Sequence, residues 1–376
     1  MKTLLNHLII NLKGIYNFFK KSNFYFKIDM KLLEEKNKKF PDWMKDQIEN
    51  DFKFWKEKEY SKKNIYQTIE NFKRKKILKD VQVIIVKIKN NNISYKNFLP
   101  QKFHPRFIRL HFFMKKILQN KKFSDVEFLY SIHDLFENPI WLECLEVPIF
   151  CISKKKENKK VILFPHVEWM SKNENLIQNI CKAALQIPLE KKINIAYWIG
   201  SSTGDENLEN NERFKIVKLS KKYPKLIEAN FSSLCQLNEK QKDMYLREYF
   251  LKNPLSPLEQ LKYRYLFAID GNAFPGAFFW QLFSGSLVLK NKSDYLEWYY
   301  FGLKNNIHYK EYSNEYELVE FLKNKQSNEK EIINSANHFA KVNLSNEAII
   351  SYIFQLFERI FPSESKSKKS PSEDFF

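Results

Sequence analysis

The chain is poor in glycine, with seven in 376 residues. Five of the seven fall in two stretches: Gly200 and Gly204 in AYWIGSSTGD, and Gly271, Gly276 and Gly285 in AIDGNAFPGAFFWQLFSGSLVLK. Cysteine is scarcer still. Cys144, Cys151, Cys181 and Cys235 fit neither C-x-x-C metal chemistry nor a dense disulfide framework, which points to reduced, mostly buried thiols in a cytosolic protein. No apolar run reaches the ~18 residues of a membrane span. No zinc spacing, RNP-type aromatic pattern or basic-zipper heptad is present, so nucleic acid is not an expected partner. G-x-G-x-x-G and the P-loop are missing, and so is any internal repeat. Neither glycine stretch holds a D-x-D aspartate pair, and no metal ligand is assigned.

What the chain does have is apolar material and positive charge. Hydrophobic residues make up 44% and aromatics 16%, enough for large cores, and the length allows two to three domains of ~150 residues. The formal charge is +19. It reads either as a lysine-painted surface or as attraction to a polyanion. Residues 1–28 carry five lysines and no acid. At helical spacing, Leu4, Leu8, Leu12, Ile15 and Phe19 share one face, opposite Lys2, Asn6, Lys13, Asn17 and Lys20. The segment suits an interfacial helix on an anionic membrane and, equally, an ordinary helix docked on the protein.

Residues 30–80 read as helical, VQVIIVKIKNNNISY as strand, turn and strand, and VEFLYSIHD as a strand ending in polar residues. From about residue 191, strands alternate with helices: KINIAYWIG, NERFKIVKLSKKYP, KLIEANFS, LKYRYLFAID, PGAFFWQLFSG, SLVLK and the expected helix YLEWYYFGLKN. This alternation implies an α/β fold with parallel sheets covered on both faces. Three helices close the pattern, the last of them NEAIISYIFQLFERI, and a polar tail follows.

Ligands of open α/β sheets bind past the carboxyl ends of the strands, where both glycine stretches fall. Glycine there admits close approach of backbone to ligand. Ser201, Ser202 and Thr203 add hydroxyls, and Asp270 and Asn272 add polar groups. A helix starting near Pro275 would offer N–H groups to a diphosphate. Arg213 lies nine residues beyond Gly204, within reach of a phosphate as a bidentate donor.

WIGSSTGDENLENNERF, YPKLIEANFS and above all LKYRYLFAIDGNAFPGAFFWQLFSGSLVLKNKSDYLEWYYFGLKNNIHY give the chain a specific resemblance to glycosyltransferase family 90. That family includes Rumi-type protein O-glucosyltransferases, fungal capsule-associated proteins and bacterial lipopolysaccharide core glycosyltransferases. The resemblance extends more weakly through DVEFLYSIHDLFENPIW and VILFPHVEW and covers roughly residues 100–360. It implies a GT-B architecture of two Rossmann-like lobes with a cleft between them and a C-terminal helix crossing back. The corresponding division is a helical extension over 1–80, an acceptor lobe over 81–190, a donor lobe over 191–343, a crossover helix over 344–361 and a loose tail over 362–376. It also implies a metal-independent, inverting transfer of a hexose or pentose from a UDP-sugar, UDP-glucose by preference, with no further cofactor.

The catalytic aspartate of the family aligns with Asp134, whose alternative is a turn or cap residue. Its donor site aligns with Gly200, Ser201, Ser202, Thr203, Gly204, Arg213, Asp270, Gly271, Asn272, Gly276, Ser286 and Glu297. His133 and His166 line the region. Two departures stand out: members often carry Arg where this chain has Ile199 and Ala277, so that either Arg264 or a lysine compensates, or the enzyme is slow, or the site is degenerate. The preferred acceptor is lipopolysaccharide or another surface glycan, handled in the cytoplasm at a membrane face. The alternatives are a protein O-glucosyltransferase acting on Ser or Thr, and a degenerate sugar-nucleotide-binding protein.

Overall fold

The computed structural model describes residues 28–58, 60–100, 104–120, 125–166, 174–324 and 327–360. The amphipathic N-terminal segment and the tail after Ile360 lie outside them. Two compact units emerge.

The N-terminal unit holds residues Asp29–Ile152 and Glu157–Pro165, together with the last helix from Ile349. Its elements are α1 (Met30–Lys38), α2 (Asp42–Lys56), α3 (Lys62–Arg74), β1 (Val83–Lys89), β2 (Asn92–Asn97), α4 (Pro105–Asn120), β3 (Val126–Ser131), α5 (Pro139–Glu143) and β4 (Ile149–Cys151). β5 (Lys154–Lys155) is counted with the other unit, and β6 (Val161–Leu163) returns to this one. The sheet runs β2-β1-β3-β4-β6. Its far half is parallel, with Leu129 opposite Ile149 and Ile149 opposite Val161, but β1 pairs antiparallel with both β2 and β3. The strand, turn and strand expected over VQVIIVKIKNNNISY are the β1–β2 hairpin, closed by Asn90 and Asn91 at φ of 49° and 61°, the left-handed pair of a two-residue turn.

The helices over 30–74 are part of this unit rather than a separate extension. Trp55 of α2, fully buried, donates from Nε1 to Lys160 O at 3.0 Å, and buried Asp51 accepts from Leu163 N at 2.9 Å.

The C-terminal unit contains residues Ser153–Lys156 and His166–Ala348. Here α6 (Glu174–Gln186) precedes β7 (Ile193–Ser201), α7 (Glu212–Lys222), β8 (Ile227–Ser233), α8 (Glu239–Glu248), α9 (Pro257–Gln260) and β9 (Tyr263–Ala268). Then follow α10 (Phe278–Gln281), β10 (Leu287–Asn291), β11 (Tyr295–Leu296), β12 (Lys310–Tyr312), α11 (Glu315–Lys323) and α12 (Glu329–Asn343). The sheet order β12-β10-β9-β7-β8 is parallel throughout. Counted within the unit, this is the doubly wound order 2-1-3-4-5, whose switch point lies between β7 and β9. Every residue of β9 and β10 is buried, so the sheet is covered on both faces. Ile216, Leu219, Phe267, Leu289, Leu318 and Ile332 belong to one apolar cluster, and Phe214, Val217, Phe231 and Tyr245 to a second. β5 pairs antiparallel with β11.

YLEWYYFGLKN was expected as one helix. It forms β11 and a single 3₁₀ turn over Tyr300–Gly302 instead. Trp298 and Tyr299 are fully buried, and the Tyr299 ring stands edge-on to Phe279 at 5.8 Å, so packing overrides helical propensity. α8 was not foreseen at all.

The last helix, α13 (Asn346–Ile360), packs into the N-terminal unit from Ile349 onward. Phe357 lies 5.0 Å from Phe128 and 6.4 Å from Phe164. Ser351 Oγ bonds Asn37, and Tyr60 donates to Ile360 O, both at 2.7 Å. The four cysteines are free thiols. Among the described residues, no helix is long and apolar enough to cross a membrane.

Phe357→Ala removes a buried ring shared by β3 and the chain after β6. We expect a loss of about 3–5 kcal/mol, read as a lower urea midpoint at unchanged slope. A shift under about 1 kcal/mol would mean that α13 is an appendage to this core.

Candidate active site

The switch point brings the two glycine stretches together. The ring of Trp198 of β7 lies against the residue two further along the strand, so that a Cβ on Gly200 would stand 2.7 Å from it. The strand's register with β8 slips between Gly200 and Ser201, and Gly204 follows at φ +140°, where a side chain is strained. Asn211 then ties the loop to α7. Its Oδ1 caps the helix by accepting from Arg213 N and Phe214 N, while its Nδ2 donates to Ser202 O and Asp205 O.

This cap fixes Arg213 in the first turn of α7, with its guanidinium across the ends of both strands. Nε donates to Asp270 O at 3.1 Å, and Nη2 reaches Ile269 O at 3.4 Å. Nη1 donates to Ser201 O at 3.1 Å, Ser201 Oγ at 3.2 Å and Thr203 Oγ1 at 2.5 Å. The ring of Trp198 lies 5.6 Å away. A Cβ at Gly271 would stand 2.6 Å from Nη2, so glycine is required there by the arginine rather than by a positive φ. Burial pulls the guanidinium pKa down to about 10, partly opposed by the charge of Asp270, which leaves it cationic at neutral pH.

The sequence suggested a bidentate fork free for phosphate, but the fork is turned onto protein oxygens. The donors it leaves are the hydroxyls. Ser201 Oγ and Thr203 Oγ1 accept from Arg213 and sit 3.1 Å apart. One can donate to the other, and a hydrogen remains to point outward.

Asp270 is buried, with its Oδ1 3.3 Å from Lys290 Nζ and its Oδ2 3.4 Å from Asn291 Nδ2. Neither Lys290 nor Asn291 was anticipated. The one available signal was a lysine directly after the apolar run LVL, at a strand's carboxyl end. Asn272 is exposed, and Gly276 has open space where a Cβ would stand. Glu297 is fully buried and accepts from Tyr299 OH at 3.1 Å. Burial, reinforced by Glu297 and Asp270, holds the Tyr300 hydroxyl far above its ordinary pKa, so this hydroxyl feels both carboxylates.

Three expectations are corrected. The helix after Pro275 begins at Phe278, spans four residues and is wholly buried, too short a turn to act as a diphosphate site. Ser286 is not with the other candidates. It precedes β10, donates to Tyr263 O at 2.7 Å and accepts from Lys192 Nζ at 2.9 Å, at the amino ends of the strands. Arg264 is paired with Glu329 at 2.6 Å at that same end and does not compensate for Ala277.

In the N-terminal unit, Asp134 stands three residues past β3 and is half-exposed. Arg106 of α4 donates from Nη2 to its Oδ1 at 2.5 Å and from Nη1 to Ile132 O at 2.7 Å, a two-point hold that sequence reading missed. His133 stacks on Trp141 at 5.0 Å, its Nε2 bonded to Asp80 O at 2.7 Å. His166, in the C-terminal unit, stands edge-on to Phe274 at 5.9 Å.

Two measurements follow from these contacts. Gly271→Ala should displace Arg213 and cost about 1–3 kcal/mol, whereas Gly276→Ala should stay within about 0.5 kcal/mol of wild type. Equal melting temperatures for the two variants would contradict the close approach. Burial also pulls Lys192 from 10.5 to about 8. Between those values the unfolded chain binds the extra proton, so stability rises with pH, by up to about 1.4 kcal/mol per unit. Wild type should therefore gain on Lys192→Met between pH 8 and 10 in denaturant titrations; a constant gap would rule out the shift.

The chain is similar to several known proteins. The chain is 27% identical over 263 residues to Protein O-glucosyltransferase 1 of Mus musculus, covering 64% of this chain and 63% of that protein. It is 26% identical over 255 residues to O-glucosyltransferase rumi of Drosophila melanogaster, covering 62% and 60%, and 22% identical over 300 residues to Protein O-glucosyltransferase 2 of Danio rerio, covering 72% and 54%. The chain thus spans less than two thirds of the length of these relatives. The profile of Glycosyl transferase family 90 matches residues 35–362, nearly the whole of the described structure, and the chain belongs to that family.

Proposed function

We propose that the chain is an inverting glycosyltransferase of GT-B organisation that moves a sugar from a UDP-sugar, UDP-glucose by preference, to a hydroxyl on a protein. The observation that carries this reading is Arg213, held across the ends of β7 and β9 with Ser201 and Thr203 beneath it. A buried cation, with a hydroxyl pair that keeps one hydrogen to donate outward, suits the diphosphate that leaves as the glycosidic bond breaks. Charge neutralisation is assigned to this group and to the backbone N–H groups of the two loops.

Asp134 is assigned the other half of the chemistry. As the acceptor hydroxyl attacks the anomeric carbon from the side opposite UDP, its proton passes to the Asp134 carboxylate, while the electrons of the breaking bond go to the diphosphate. Arg106 donates to Asp134 Oδ1 and so holds the carboxylate in place. The relatives' names favour a protein acceptor over the surface glycan first preferred.

Asp134→Asn preserves shape and cannot take the proton. Transfer from UDP-glucose should fall by roughly 10²–10⁴, while calorimetry shows UDP bound as in wild type. Turnover that is unaffected by the substitution removes Asp134 as the base. No turnover in wild type despite UDP binding would favour the degenerate binding protein.

A further inference from the structure

Lys290 is buried at the carboxyl end of β10, where a lysine is costly unless paired. The parallel register sets it opposite Ala268, two residues before Asp270. Its ammonium lies 3.3 Å from Asp270 Oδ1, 3.3 Å from Asn291 O and 5.7 Å from the Tyr300 ring centre. The same Asp270 receives Arg213 Nε on its carbonyl, and its charge acts on the guanidinium.

These three charges form one group. Arg213 and Asp270 by themselves cancel, which would leave nothing for a dianionic leaving group. With Lys290 the group keeps one net positive charge. We propose that Lys290 is a positioning residue that neutralises Asp270, so that the charge of Arg213 is left to the donor's diphosphate. On this account Lys290 takes over electrostatically from the arginine missing at Ala277, working through Asp270 from the interior rather than by touching the ligand. The inference rests on the donor-site reading above.

The test is a set of UDP and uridine titrations, by calorimetry on the full chain, of wild type, Lys290→Met, Asp270→Asn and the double variant. Lys290→Met exposes the ligand to an unbalanced carboxylate, and UDP affinity should fall roughly ten- to thirtyfold. Asp270→Asn should bind UDP more tightly than wild type. The double variant, which restores one net positive charge, should return to within about threefold of wild type. Affinity for neutral uridine should be the same in all four.

Equal UDP affinity in wild type and Lys290→Met overturns the inference alone. So does a double variant as weak as Lys290→Met, because it would mark Lys290 as a packing residue. Should Lys290→Met fail to fold, the ranking of Asp270→Asn above the double variant, with the double variant at wild-type level, still decides. UDP bound by none of the proteins overturns the donor-site reading and this inference with it.

Discussion

A buried guanidinium has five N–H groups to satisfy, and in this chain nearly everything at the sheet's switch point is arranged around doing so for Arg213. It draws on the carbonyls of Ser201, Ile269 and Asp270, which lie at the ends of neighbouring strands. It needs a helix start that points it the right way, which the Asn211 cap provides. It needs room, which is why residue 271 has no side chain. Four separately encoded features (a cap, two strand ends and a glycine) are thereby locked into one geometry.

That dependence explains why the glycines were readable before the structure was. At two of its few glycines a side chain would collide: Gly200, on β7, against Trp198, and Gly271, just past the end of the adjacent β9, against Arg213. The parallel pairing of the second sheet was legible for a related reason: its strands alternate with helices, most of which carry an apolar stripe. α8 was not legible, because Tyr245 is its only buried residue while Met244 and Leu246 face solvent. α10 failed in the opposite way, since all four of its residues are buried and no polar face marks where it stops. The arrangement around Asp134 and Lys290 was hidden for a third reason. Arg106 comes to Asp134, and Lys290 to Asp270, through strand and helix neighbours that no local pattern records.

The family's departures at Ile199 and Ala277 are read differently once these contacts are known. Ile199 is a strand residue beside Gly200, and Ala277 caps a single buried turn. The cations near the site are Arg213, from the first turn of α7, and Lys290, from β10, so the electrostatics are set by these two side chains rather than by the turn after Pro275.

The routing of the last helix has a consequence for how the protein is made. β3 and β6 leave the ribosome early, but the ring that packs between Phe128 and Phe164 belongs to Phe357. At about 5–20 residues per second, the intervening ~190 residues occupy roughly 10 to 40 seconds of synthesis. During that interval α2 can already pack on β6, but the place of Phe357 against Phe128 and Phe164 stays unfilled, while the second sheet, encoded in one nearly continuous stretch, can close. The unit that begins the chain is therefore the later one to be completed, and the gap left for Phe357 is where a chaperone would be engaged.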